Sequence, residues 1–188
     1  MQIKFWGVRG SIPSGSKDTA GVGGNTTCAE IRCGDELIII DTGTGVRNLG
    51  MALMKEMPVK GTILFSHVHW DHIQGFPFFG PFFVPGNEFR IFGGTSLPKT
   101  IGEVLDQQMT PPCFPVKTEL FGAKLTYHDV KPGDVIEGNN YKITLASLYH
   151  PNGCFAYRIE HEGKALVFCT DCEHYDDKPN KNLLELCK

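Results

Sequence analysis

Gly61-Thr62-Ile63-Leu64-Phe65-Ser66-His67-Val68-His69-Trp70-Asp71-His72 joins a short apolar run to a dense group of metal-ligating side chains. Residues 61–66 have the composition of a strand buried on both faces. Within the next six residues come three of the chain's seven histidines and an aspartate. His67 and His69 are two apart, so in extended backbone both rings project to the same side. Asp71 and His72 are adjacent, and where a strand turns into a helix neighbouring side chains diverge toward different centres. One loop can therefore feed two metal ions about 3.5–4 Å apart, the spacing that dinuclear sites use. Imidazole and carboxylate ligands suit zinc, and manganese or iron accept the same set.

Working outward, the segments on either side supply further ligands at strand ends. Asp41 closes the β-branched run Glu36–Ile40 and is followed by Thr42-Gly43-Thr44-Gly45. His150 ends the run Thr144–Tyr149 just before Pro151-Asn152-Gly153, and Asp171 ends Ala165–Cys169. A sheet edge can gather side chains placed in this way into one cluster. Further strands are expected at Gln2–Val8, Thr27–Cys33, Glu88–Phe92, Leu125–Val130, Tyr141–Tyr149, Cys154–Glu160 and Lys164–Cys169, the last two joined by a Glu162-Gly163 hairpin turn. Apolar residues at helical spacing predict a helix over Val46–Met57, stopped by Pro58. A second helix is expected over Lys99–Met109, and the start of another at Asn182. The phenylalanines 76, 78, 79, 82 and 83 are read as core packing, the alternative being that they stack bases or line a hydrophobic substrate entrance; left exposed, they would mark a homodimer interface.

The 188 residues fit one domain, 1–188, with a sizeable core. Hydrophobic residues make up 41% and charged residues 21%, with a net charge of −3, so no broad basic field is present to hold nucleic acid non-specifically. No apolar run is long enough to span a bilayer, which argues against a membrane partner. Residues 1–7 lack a secretory signal pattern, so a cytoplasmic location is expected. The seven cysteines are an odd, scattered set, which reads as reduced thiols. Cys169-Thr170-Asp171-Cys172 has C-x-x-C spacing but follows a strand rather than opening a helix, so a redox or zinc role is weakly signalled.

Asp41, His67-x-His69-x-Asp71-His72, His150 and Thr170-Asp171 together resemble the metallo-β-lactamase superfamily, over roughly residues 1–177. The resemblance implies an α/β, αββα sandwich: two mixed β-sheets face to face with helices outside. It implies two divalent metal ions, zinc first. His67, His69 and His150 would hold one metal and Asp71 and His72 the second, with Asp171 bridging and Asp41 orienting the ligand loop. The openings Phe5-Trp6-Gly7-Val8-Arg9-Gly10-Ser11-Ile12-Pro13 and Gly23-Gly24-Asn25-Thr26-Thr27-Cys28 resemble the ribonuclease Z and cyclic-phosphodiesterase branch. That implies hydrolysis of a small cyclic or linear phosphodiester or RNA, with a metal-bridging hydroxide attacking phosphorus and Asp71 and Asp171 serving catalysis. Arg9, Ser11, Asn25 and Thr26 are then candidates for binding substrate, since glycine-rich turns present N–H groups and Arg9 a cation to a phosphate. The alternative is that these glycines only make turns and that Arg9 pairs with a surface acid.

The resemblance also implies a further histidine beyond the Asp171 position and, for the phosphodiesterase branch, a downstream Gly-His-Ser-Thr-like segment. Neither falls within residues 1–188, so the sandwich is expected to lack its usual C-terminal part and the second metal to be short of ligands. His174 stands too close to Asp171 to substitute, whereas Glu173, Asp176 or Asp177 could add a carboxylate. Two other functions remain open: a thioester or lactone hydrolase, and a catalytically incomplete metal-binding or interaction protein.

Overall fold

A computed structural model describes residues 1–175 and 178–188. The first sheet contains β1 (Gln2–Gly7), β2 (Cys28–Cys33), β3 (Glu36–Ile40), β4 (Lys60–Leu64), β5 (Glu88–Gly93) and β6 (Lys124–Asp129), hydrogen-bonded in that order. β1, β2 and β3 are antiparallel, and β3 to β6 are parallel. The second sheet runs β10 (Lys164–Phe168), β9 (Cys154–His161), β8 (Lys142–Leu148), β7 (Val135–Glu137). The α-helices among the described residues are α1 (Gly45–Leu53), α2 (Trp70–Ile73), α3 (Ile101–Gln107) and α4 (Lys181–Leu186).

Three apolar layers hold these parts together. Side chains alternate along a strand, so Leu37 and Ile39 face outward with Val46, Leu49 and Leu53 of α1, while Ile38 and Ile40 face the second sheet. There they meet Ile143, Leu145, Tyr157 and Ile159. On the far side of the second sheet, Leu148, Cys154 and Ala156 pack under Leu183 and Leu186 of α4. The order is helix, sheet, sheet, helix, as expected, and burial on both faces explains the unbroken Leu-Ile-Ile-Ile run of β3. Phe76, Phe79 and Phe82 are fully buried in the outer layer, and only Phe78 and Phe83 of that group are exposed.

The structure departs from expectation in several details. The second sheet is antiparallel throughout its described strands rather than mixed. Its strands follow one another through short turns, and a parallel neighbour requires a long crossover. The first helix ends at Leu53 rather than Met57, because the last turn tightens to i→i+3 bonds from Lys55 to Ala52 and from Glu56 to Leu53. The second begins at Ile101 rather than Lys99, since Thr100 and Glu103 form a reciprocal capping box. The three-residue strand β7 carries too little alternation to read from sequence. The Glu162-Gly163 turn is present, both residues having positive φ.

The two sheets are also tied by polar contacts at one end. The buried Tyr157 hydroxyl donates to the Phe65 carbonyl at 2.7 Å, and the Phe155 N–H donates to the Ser66 carbonyl at 2.8 Å. Tyr157→Phe should lower stability by about 1–2 kcal/mol, since it removes a buried bond and leaves a carbonyl unpaired. Urea unfolding of the two proteins measures this, and an unchanged midpoint would contradict it.

Candidate metal centre

The parallel strands β3 and β4 end side by side and release Asp41 and Ser66-His67 from the first sheet. The second sheet contributes from the same end. β8 runs out at His150, and His150-Pro151-Asn152-Gly153 turns back into β9 with a Gly153 N–H to His150 carbonyl bond of 2.9 Å. Proline second and a positive-φ asparagine third suit a type II turn. β10 runs out toward Asp171, and the Glu173 N–H bonds back to the Tyr149 carbonyl at 2.8 Å, drawing this loop against His150.

The Asp41 carboxylate is wholly buried and is satisfied from three directions. Oδ1 accepts from the Ser66 N–H, and Oδ2 accepts from the Ser66 hydroxyl and from His72 Nδ1, each at 2.7 Å. With its proton directed to Asp41, Ser66 Oγ accepts from His67 Nδ1 at 3.1 Å. His67 and His72 are thereby both fixed with Nδ1 protonated, which turns their Nε2 atoms to the cleft.

Two groups of ligand atoms result. His67 Nε2 and His150 Nε2 each lie 3.0 Å from His69 Nδ1. His150 meanwhile turns Nδ1 toward Glu173 Oε1, 3.6 Å away. His72 Nε2 stands 3.2 Å from Asp171 Oδ2 and 3.5 Å from Asp71 Oδ2. Ligand atoms of His67, His69 and His150 fall within 4.8 Å of one another, as do those of His67, His72 and Asp171. One proton on His69 Nδ1 cannot satisfy two imidazole lone pairs at once, so the donor chemistry of the first group fits a divalent cation. The second group brings two carboxylates to a buried imidazole, which also fits one.

The protonation of these groups follows from what surrounds them. Burial, reinforced by the neighbouring His72, lowers the His67 pKa to about 3. Burial also lowers His69, with the nearby His150 adding to the effect. At His72 burial opposes the charged form, but hydrogen bonds to Asp171 and Asp41 and the charges of Asp41 and Asp71 outweigh it and raise the pKa to about 10. Asp171 is held below the usual carboxylate range, chiefly by its bond to His72.

The structure thus brings together His67, His69, Asp71, His72, His150, Asp171 and Asp41. The four residues expected to bind substrate divide. Arg9 is exposed and makes no ion pair among the described residues. The Ser11 N–H donates to Asp71 Oδ2 at 2.7 Å, so its backbone orients that carboxylate. Asn25 is half-buried and accepts from the Thr44 hydroxyl at 3.2 Å. Thr26 departs from expectation: it is 0% exposed, and its hydroxyl accepts from the Thr44 N–H and Gln74 Nε2, so it braces loops instead of meeting a ligand. His174 accepts from the Asn180 N–H at the start of α4. Asp176 and Asp177 lie outside the described residues. Two contributors escaped the sequence reading. Ser66 sets the tautomer of His67, and Asn152 Nδ2 reaches within 3.4 Å of His69 Nε2. The only sequence signal for Ser66 was a hydroxyl placed directly before His67.

With this geometry in view, the chain belongs to the beta-lactamase superfamily: the model of the beta-lactamase superfamily domain matches residues 37–186. It is similar to the ribonuclease Z of Methanothermobacter thermautotrophicus, being 29% identical over 166 residues that take in 85% of this chain and 48% of that protein. The chain therefore spans about half the length of the curated relatives it matches. The metallo-beta-lactamase fold protein YhfI from Bacillus subtilis superposes with a TM-score of 0.65 at 20% identity, covering 93% of this chain and 63% of that one. Human tRNase Z, short form, gives 0.65 at 16% identity, covering 100% and 74%. The expected sandwich fold is borne out by these likenesses.

Linkage gives the raised pKa of His72 a measurable consequence. The stabilisation it reports is fully present below the unfolded value, about 6.5, and is lost as pH rises through about 10. Metal-free protein should therefore lose stability between pH 7 and 10. Asp41→Asn should flatten that decline and lower the His72 pKa, as read from its imidazole C–H resonances. A His72 titration unmoved by the substitution would contradict this account.

Proposed function

We propose that the chain carries the metal centre of a hydrolase that cleaves phosphodiesters, in a nucleotide or in RNA. The observation that carries this reading is the meeting of six ligand side chains from both sheets at one end of the sandwich. His67 Nε2, His69 Nδ1 and His150 Nε2 would hold one divalent ion, zinc by ligand type. Asp71 and His72 would hold a second, with Asp171 near both. Bound there, such ions act as Lewis acids toward a phosphoryl oxygen and generate a nucleophile from water at neutral pH.

The chain's own residues have distinct tasks. Asp41 and Ser66 hold the His67 and His72 rings so that Nε2 points into the cleft. The Ser11 N–H fixes Asp71. Arg9, exposed and two residues from Ser11, offers a guanidinium to a phosphoryl oxygen. Similarity to a ribonuclease Z supports the phosphodiester class over a thioester or lactone.

The test is a metal count joined to an assay. Protein loaded with Zn²⁺ or Mn²⁺ should bind two ions per chain and hydrolyse bis-p-nitrophenyl phosphate. His69→Ala and Asp71→Ala should lower kcat/KM by at least about a hundredfold, together with metal content. Activity confined to a thioester, or undiminished activity in metal-free protein, would overturn the proposal.

A further inference from the structure

Trp70 occupies a position that packing leaves unexplained. It lies between His69 and Asp71 as the first residue of α2, whose other three residues, Asp71, His72 and Ile73, are all buried. Trp70 itself is 80% exposed. No hydrogen bond engages its indole N–H among the described residues, whereas the indole of Trp6 donates to Glu30 at 2.9 Å. Any polar residue would serve this outward position of a short helix. A tryptophan there leaves the largest apolar side chain in water between two residues of the metal centre, an arrangement that needs a partner.

An exposed aromatic pair also sits next to His150. Tyr149 directly precedes His150, is itself exposed, and packs on exposed Tyr175 with ring centroids 5.1 Å apart and planes tilted by 33°. The His69 and His150 rings are 4.8 Å apart, and Trp70 and Tyr149 are their neighbours in sequence, so the backbone anchors both exposed aromatic residues at the border of the metal centre. A phosphodiester held at the metal centre would carry its organic substituents past this border. Flat π-faces there suit a planar heteroaromatic ring, because stacking needs no particular pattern of hydrogen bonds.

We infer that Trp70 is a specificity-determining residue that stacks on a nucleobase of the substrate, favouring nucleotide diesters over alkyl diesters. This inference rests on the proposed function for its phosphodiester, but it concerns the leaving or retained group rather than the metals.

Two measurements test it. In the first, the fluorescence of the metal-free chain is titrated with AMP and with ribose 5-phosphate. AMP should quench the Trp70 emission, ribose 5-phosphate should not, and Trp70→Leu should abolish the response. Equal responses to both compounds, no response to AMP, or Trp70 emission already typical of a protein-covered indole would overturn the inference. In the second, the metal-loaded protein is given thymidine 5′-(p-nitrophenyl phosphate) and methyl p-nitrophenyl phosphate. The ratio of their kcat/KM values should fall about tenfold in Trp70→Ala and be largely restored in Trp70→Phe. An unchanged ratio would overturn the inference. If the wild-type protein hydrolyses neither ester, the proposed function fails and the fluorescence titration alone decides the role of Trp70.

Discussion

A carboxylate sealed from water must satisfy its lone pairs within the protein or lose its charge. Asp41 does so with the Ser66 N–H, the Ser66 hydroxyl and His72 Nδ1. These three bonds join the end of β3, the end of β4 and the helix α2 into one unit. Much of the cleft depends on them. Ser66 passes the constraint to His67 by accepting from its Nδ1, and reciprocal bonds between Thr42 and the His72–Gly75 segment hold α2 in place. Gly43 is required in the same corner, since a Cβ there would strike the Asp71 carbonyl and the Thr26 hydroxyl.

Backbone conformation shows where the structure bears cost. Five described non-glycine residues have positive φ, and Ser11, Asp41, Asn152 and Asp171 all border the cleft. The fifth, Glu162, sits in a hairpin turn that demands it. Asp and Asn tolerate the left-handed region better than most residues, which explains their choice at three of these positions. Each such residue costs on the order of 1 kcal/mol and persists only where its surroundings hold it. The hydrogen bonds of Asp41, Ser11 and Asp171 provide that restraint. Opposed electrostatics then separate the two lobes. Burial keeps His67 neutral, whereas the carboxylates around His72 favour its proton, so a cation bound beside His72 has a proton to displace.

The sequence was most legible where local pattern and chemistry coincide. The His67–His72 segment follows a buried strand, and the strand-end positions of His150 and Asp171 were readable from the apolar runs before them. The layer order came from the resemblance to the metallo-β-lactamase superfamily rather than from these runs. What stayed hidden is set by distant partners. Thr26 looked like a ligand-binding residue in a glycine-rich loop, but Thr44 and Gln74, 18 and 48 residues away, claim its hydroxyl. Ser66 carries no motif, since its importance comes from Asp41. The short strand β7 forms only because Ile136 finds a place against Tyr141 and Ile143 between the sheets.

The central claim is that Asp41 and Ser66 fix which ring nitrogen His67 and His72 turn to the cleft. ¹⁵N-imidazole NMR of the protein titrated with Zn²⁺ tests this directly. The account predicts that Nε2 of His67, His72 and His150 and Nδ1 of His69 shift to metal-bound values, while Nδ1 of His67 and His72 keeps its proton. Coordination through Nδ1 of His72 or His67, or a His72 that keeps its Nε2 proton at saturating zinc, would contradict it.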